Sequence, residues 1–297
     1  MHKNGSFIDL HIHTFNSDGH YSPKEVVKIA KQNNTNFIAI SDHDTIKGLS
    51  EFENNLEREM IGVDGVEFSS YIIHDNKKVK LHILGYGFDK NNSKLLSLLN
   101  EMKDKRINAH LNLLKMMREK ITKFPESNIS KIDIERYCWF DREIIKCLED
   151  ANYPIDIIEY YKDYFRCNKF SYGSEYDLDA KRVIDAIKSA NGFVVLAHPM
   201  VYKISRDDIT KIIIKLTKMG LDGIEIYQSD CSYEDSIYLK KLADSYNLLA
   251  SVGSDFHRNV NSDGRIIGKG INQNLCIEET SLTRRILEKK KYFNGVR

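Results

Sequence analysis

The chain has 297 residues, a formal net charge of +1 and 41% hydrophobic residues, enough for one large or two modest globular domains with a sizeable core. The charge balance excludes a global pull toward nucleic acid or anionic membrane, so a site for a polyanion would have to be local. Five scattered cysteines without a CxxC pair argue against a disulfide framework and a thiolate zinc site. The first apolar run is too short for a signal peptide and none reaches the roughly 18 residues of a membrane span, so a cytoplasmic protein with no membrane and no protein partner is expected.

In chain order, FIDLHI predicts a strand and SPKEVVKIAKQNN a helix, with Ser22 as cap, Pro23 at the first helical position and Glu25 completing a capping box. FIAIS predicts a strand, LSEFENNLEREM a helix, and GVEFSS and VKLHILGYGF further strands; the alternation predicts a parallel sheet. From 90 to 175 the pattern changes to long helical stretches, among them FDREIIKCLEDANY and IDIIEYYKDYF, which read as a helical insertion. Alternation resumes with LDAKRVIDAIKSAN (helix), GFVVLAHP (strand), RDDITKIIIKLTKMG (helix), DGIEIYQ (strand), SYEDSIYLKKLADSYN (helix) and LLASVGSDFH (strand), before a closing helix at SLTRRILEKKKYF. The expected parts are an α/β body, 1–89 and 176–297, and a helical insert, 90–175. About seven strands, without a GxGxxG or GxxxxGK[ST] loop to grip phosphate in an open sheet, favour a barrel.

Histidine placement is the most informative feature. Six of the ten, His11, His13, His43, His82, His198 and His257, lie within or just after strand-like runs, and the same places carry Asp18, Asp42, Asp44, Glu67 and Asp255. A barrel gathers its functional residues at such strand ends. Neutral imidazole and carboxylate together are the usual ligands of zinc, manganese and iron. A lone strand histidine is more often a satisfied core or surface residue; six at equivalent positions argue for a metal centre. His2, His74 and His110 read as plain surface residues, and His20, in a turn close to Asp18, as solvent-exposed or behind the ligands.

The ordered series DLHIHTFNSDG, AISDHDT, GVEFSS, HILGYGFD, VLAHP and GSDFH resembles the motifs of the PHP (polymerase and histidinol phosphatase) family of metal-dependent phosphoesterases. With its helical insert, the chain resembles the subgroup that includes nucleoside 3',5'-bisphosphate phosphatases and a 5'-3' exoribonuclease of short RNA. The resemblance implies a distorted seven-stranded (β/α) barrel with a small helical domain over its mouth, and two or three divalent ions (manganese, iron or zinc). It makes His11, His13 and Asp255 ligands of one ion, with Glu67 bridging to a second held by His43 and His82. Asp18, His198 and His257 would hold a third or complete a shared cluster. Asp42 and Asp44 would orient imidazoles. Where the subgroup carries a GRPHIA-like phosphate clamp, this chain reads WFDREIIKCLEDANY, so Arg142, Lys169 and Arg258 are the phosphate-binding candidates.

Three divalent ions against the carboxylates of Asp18, Glu67 and Asp255 would leave a positive pocket suited to phosphate. The expected reaction is hydrolysis of a nucleotide phosphomonoester, such as a 3',5'-bisphosphonucleotide, by metal-activated hydroxide. Glu67, His198 and His257 carry the chemistry, and the insert serves as a lid that selects the leaving group. The alternatives are 5'-3' degradation of short 5'-phosphorylated RNA, a histidinol-phosphate-type phosphatase, C–N bond hydrolysis on the same centre, and a non-catalytic regulatory module.

Overall fold

The computed structural model describes residues 5–121, 123–135, 140–168, 177–258 and 264–294. Its elements are β1 (Phe7–Ile12), α1 (Pro23–Gln32), β2 (Thr35–Ile40), α2 (Leu49–Asn55), β3 (Ile61–His74), β4 (Lys77–Tyr86), α3 (Ser93–Lys120), α4 (Glu126–Ile129), α5 (Phe140–Asp150), α6 (Ile155–Asn168), β5 (Leu178–Asp179), α7 (Ala180–Ser189), β6 (Phe193–Leu196), α8 (Arg206–Met219), β7 (Gly223–Gln228), α9 (Tyr233–Ser245), β8 (Leu249–Gly253) and α10 (Ser281–Asn294). Two compact units result, one of Met1–Leu98 with Leu178–Arg297 and one of Leu99–Asp177. Among the described residues, no helix is long and apolar enough to cross a membrane.

The first unit is a mixed α/β fold on an eight-stranded sheet. Its main path runs β1-β2-β3-β4-β6-β7-β8, and β5 pairs with β3. The sheet departs from an all-parallel one at β4, which runs antiparallel to both β3 and β6. No helix separates β3 from β4: Asp75 and Asn76 turn the chain at φ +46° and +60°, a left-handed pair that short polar side chains tolerate and that suits a two-residue hairpin. The ladders do not close into a barrel. Beyond β8, among the described residues, an isolated bridge of Ile12 to Phe256 takes the place of a ladder to β1. The capping box forms as expected, with Ser22 and Glu25 each accepting from the other's backbone N–H. α2 is shorter than expected, because Leu56 turns to extended backbone.

In β1, Ile8, Leu10 and Ile12 alternate with Asp9 and His11, and all five are fully buried. Ile8 and Leu10 join Phe37, Leu84, Tyr86, Val195 and Val252 of neighbouring strands, together with Leu282 and Ile286 of α10, in one core. Each such side chain contributes about 1.5–3 kcal/mol by leaving water. Asp9 instead ties segments together: it accepts from the N–H of His11 at 3.2 Å, of Ser254 at 2.9 Å and of Gly268 at 2.8 Å. These bonds hold the chain beyond β8 beside β1, where no ladder does.

In the second unit, Leu113, Leu114 and Met117 of α3 and Ile121 just beyond it pack with Phe140, Ile144, Leu148, Ile158 and Tyr161. His110, expected at the surface, lies on this same α3 face and is 2% exposed. Its Nδ1 is 2.9 Å from the Ile134 carbonyl oxygen, and its ring stacks on Phe140 at 3.8 Å. A helical spacing of three, four and seven from buried neighbours brings it inside.

Asp9→Asn should cost about 1–3 kcal/mol, because the carboxamide turns a donor toward buried N–H groups that need acceptors. A denaturant midpoint equal to the wild type's would contradict this role.

Candidate metal centre

The site is assembled where several strands end. β1 delivers His11 and, one residue beyond its end, His13; the turn that follows carries Asp18. The segment after β2 carries Asp42, His43 and Asp44, and is pinned to β3 because the Asp44 N–H donates to the Glu67 carbonyl at 2.8 Å and the Glu67 N–H to that of Asp42 at 3.1 Å. β4 contributes His82 directly opposite Ser69. His198 follows β6, and Asp255 and His257 follow β8. Asp44, His198 and Asp255 all have positive φ, at +52°, +26° and +56°, backbone strain of the kind that concentrates at functional sites.

Glu67 stands at the centre with no exposed surface. Its Oε2 lies 3.2 Å from His11 Nε2, 3.4 Å from His13 Nε2 and 3.1 Å from His43 Nδ1. Its Oε1 lies 3.0 Å from His82 Nδ1 and 3.1 Å from His198 Nε2. Asp255 Oδ1 is 3.2 Å from His13 Nε2 and 3.5 Å from His11 Nε2. Asp18 meets His13 Nδ1 at 3.2 Å, His257 Nε2 at 3.1 Å and His43 Nε2 at 3.7 Å.

All nine residues expected as ligands therefore come together, in overlapping groups each able to hold a metal ion: His11, His13 and Asp255; His43, Glu67 and His82; His11, Glu67 and His198; and His13, Asp18, His43 and His257. The expected trio of Asp18, His198 and His257 is divided. Asp18 and His257 gather with His13 and His43, whereas His198 sits with Glu67 and His11. The donor set passes a direct test of fit: His11 Nε2, His13 Nε2 and Glu67 Oε2 are buried and make no hydrogen bond, although such atoms are costly to leave unsatisfied. Imidazole nitrogens converging on shared carboxylate oxygens suit a divalent cation.

Charge follows this geometry. Burial alone would raise the Glu67 carboxyl, but His43, His11 and His82 hold it well below the usual carboxylate range; the same opposition, through His43, His257 and His13, keeps Asp18 low. Burial works against protonation of His13, yet Asp18, Asp255 and Glu67 push it up to about 10. His11 rises well above its usual value, against its own burial, through Glu67, Glu225 and Asp255. Burial drives His43 down to about 3. Without a metal, then, protons on His11 and His13 offset the carboxylates.

Asp42 works through the loop that carries Asp18. It accepts from Thr14 N at 2.7 Å, Thr14 Oγ1 at 2.6 Å and Ser17 Oγ at 2.6 Å, and it reaches the His13 ring through Ser17, whose Oγ is 3.5 Å from His13 Nδ1. Asp44 accepts from the Ser69 N–H at 2.9 Å, steadying β3. His20 is exposed and His74 reaches Asp208 at 3.1 Å; His2 and Lys169 lie outside the described residues. Arg142 is exposed on α5 in the second unit, while Arg258 is half-buried beside His257. One buried residue at the centre escaped the sequence reading. Glu225, in the apolar strand IEIY, lies 3.1 Å from His11 Nδ1; a lone carboxylate in a buried strand was its only signal.

Several known proteins have sequences similar to this one. A 5'-3' exoribonuclease of Haemophilus influenzae is 29% identical over 84% of this chain and 89% of its own. A phosphoribosyl 1,2-cyclic phosphate 1,2-diphosphodiesterase of Eggerthella lenta is 28% identical over 84% and 93%. A 3',5'-nucleoside bisphosphate phosphatase of Chromobacterium violaceum is 29% identical over 84% and 87%. In fold, the chain is similar to the structure of an amidohydrolase from Chromobacterium violaceum, with a TM-score of 0.71 and 24% identity over 95% of this chain and 96% of that one. The PHP domain model matches residues 9–171, more than half of the chain, and the chain belongs to the PHP domain family.

Proposed function

We propose that this chain is a metal-dependent phosphoesterase that removes a phosphate from a nucleotide of the 3',5'-bisphosphonucleotide type. The observation that carries the reading is the convergence of five imidazoles on the buried Glu67. The open sheet is read as a distorted barrel whose strand ends form the site. Two or three divalent ions of manganese, iron or zinc suit these nitrogen and oxygen donors. His11, His13 and Asp255 would hold one ion and His43 and His82 a second, Glu67 would serve both, and Asp18, His257 and His198 would complete the set. When bound, such ions supply Lewis acidity toward phosphoryl oxygens and make hydroxide available from water near neutral pH.

The chain's own residues do the rest. Glu67 would hold both ions in register, and Asp18 and Asp255 would limit the excess positive charge, which favours an anionic substrate. Burial would lower His257, but Asp18 and Asp255 raise it above its usual value against both burial and the nearby His13. A His257 that is not ligating would carry this proton on Nε2, facing Asp18 at 3.1 Å, and is the acid assigned to the departing oxygen. Arg258, next along the chain, is the phosphate-binding candidate that shares this segment. The second unit is assigned the selection of the leaving group.

A second reading, 5'-3' degradation of short RNA, is favoured by the similarity to the Haemophilus influenzae exoribonuclease. Manganese-loaded protein should release one phosphate from a bisphosphonucleotide, and in the second reading it should shorten a 5'-phosphorylated oligoribonucleotide stepwise. Metal-loaded protein inactive on both, and on histidinol phosphate and an aryl phosphate, would end the phosphoesterase reading. Glu67→Gln should lower the rate at least about 10²-fold, as expected for loss of groups acting as a unit, and reduce the metal retained through gel filtration; a wild-type rate would contradict the bridging role.

Metal affinity should rise with pH. His11 and His13 carry protons at neutral pH in the metal-free protein and must lose them to act as ligands, about tenfold in affinity per pH unit for each proton displaced. Calorimetry in buffers of different ionisation enthalpy should register proton release on manganese binding at pH 7, and heats independent of buffer would refute the assignment of His11 and His13.

A further inference from the structure

We propose that Glu225 is the positioning residue that directs His11 Nε2 toward the metal centre, and that Gly253 is required to admit it; this rests on the metal-centre reading above. Glu225 and His11 are both fully buried. Glu225 Oε1 lies 3.1 Å from His11 Nδ1, and Oε2 accepts from the His198 N–H at 2.8 Å. One carboxylate on β7 thus holds a side chain from β1 and the backbone of the strained residue after β6. With its Nδ1–H donated to Glu225, the proton that His11 gives up for a metal is the one on Nε2, which faces Glu67 Oε2 at 3.2 Å and Asp255 Oδ1 at 3.5 Å. A carboxylate behind a ligating imidazole fixes both its tautomer and its ring orientation.

Gly253, at the end of β8, faces this pair. A Cβ there would stand 2.2 Å from His11 Cβ and 2.4 Å from Glu225 Oε1, closer than side-chain atoms approach in folded proteins. Any larger residue must push the imidazole off the carboxylate. The glycine of VGSDFH therefore has a steric reason that belongs to His11 and not to its own turn.

Glutamine in place of Glu225 keeps the shape but has one acceptor for two donors. If its oxygen stays with the His198 N–H, its NH2 faces His11 Nδ1 and drives the ring proton onto Nε2, which blocks ligation. If its oxygen stays with His11, the NH2 opposes the His198 N–H, and a buried donor is left unpaired.

Long-range 15N–1H spectra of the zinc-loaded wild type test this directly. The expected result is a proton on His11 Nδ1 and a metal-shifted Nε2; a ligated Nδ1 or a protonated Nε2 would overturn the proposal. In chelator competition, Glu225→Gln and Gly253→Ala should lose about 10–100-fold in zinc affinity, while the far-UV circular dichroism of Glu225→Gln stays that of the wild type. Unchanged affinity in a folded Glu225→Gln protein would overturn the proposal too, and if neither variant folds, the wild-type spectra decide it. A wild type that binds no zinc would instead remove the metal-centre reading on which the proposal stands.

Discussion

Glu67 is a carboxylate with no access to water, and it survives ionised in the interior because imidazoles face both of its oxygens. An isolated buried charge would cost several kcal/mol, so the position tolerates nothing that fails to bring positive charge. The metal-free protein meets that demand with protons on His11 and His13. A divalent cation would meet it better, since it would replace those protons and engage the buried nitrogens and oxygen that make no hydrogen bond. The same constraint explains why so many elements must meet at one place.

That meeting depends on how the sheet ends. The ladders run from β1 round to β8 without closing, and the ends are joined by Asp9, by the Ile12–Phe256 bridge, and by the Asp255 N–H donating to the His11 carbonyl at 2.9 Å. Antiparallel β4 brings His82 to the same rim as residues from parallel strands, because the β3–β4 hairpin reverses the chain within two residues. Behind the rim, Asp42 holds the Asp18 loop and Glu225 holds His11. The donors are thus set by bonds that do not themselves face a metal.

Much of this was legible in the sequence. His11 and His13 lie one residue apart at the end of an apolar run, and the repeated pairing of such runs with histidine or aspartate singled out residues that the fold does bring together. Helices were readable where their periodicity was strong, as in α1, α7 and α8, and the Ser22–Glu25 capping box was read correctly. The hairpin was missed because its turn, Asp75–Asn76, lies in a polar run that looked like a loop between parallel strands. His110 was misjudged because a helical face shows as buried only when its partners, here Ile134 and Phe140, are known. Glu225 was missed because its importance comes from a contact with a strand more than two hundred residues earlier, which no local pattern records. The separation of Asp18 and His257 from His198 is likewise a matter of packing and not of motif order.

The central claim is that Glu67 is the shared ligand of a metal centre. Anomalous diffraction from crystals of the manganese-loaded protein tests it most directly. The account predicts at least two anomalous peaks, both within coordination distance of the Glu67 carboxylate and each also reached by histidines of the set described. Peaks confined to other parts of the molecule, or full occupancy with Glu67 bound to none of them, would contradict it.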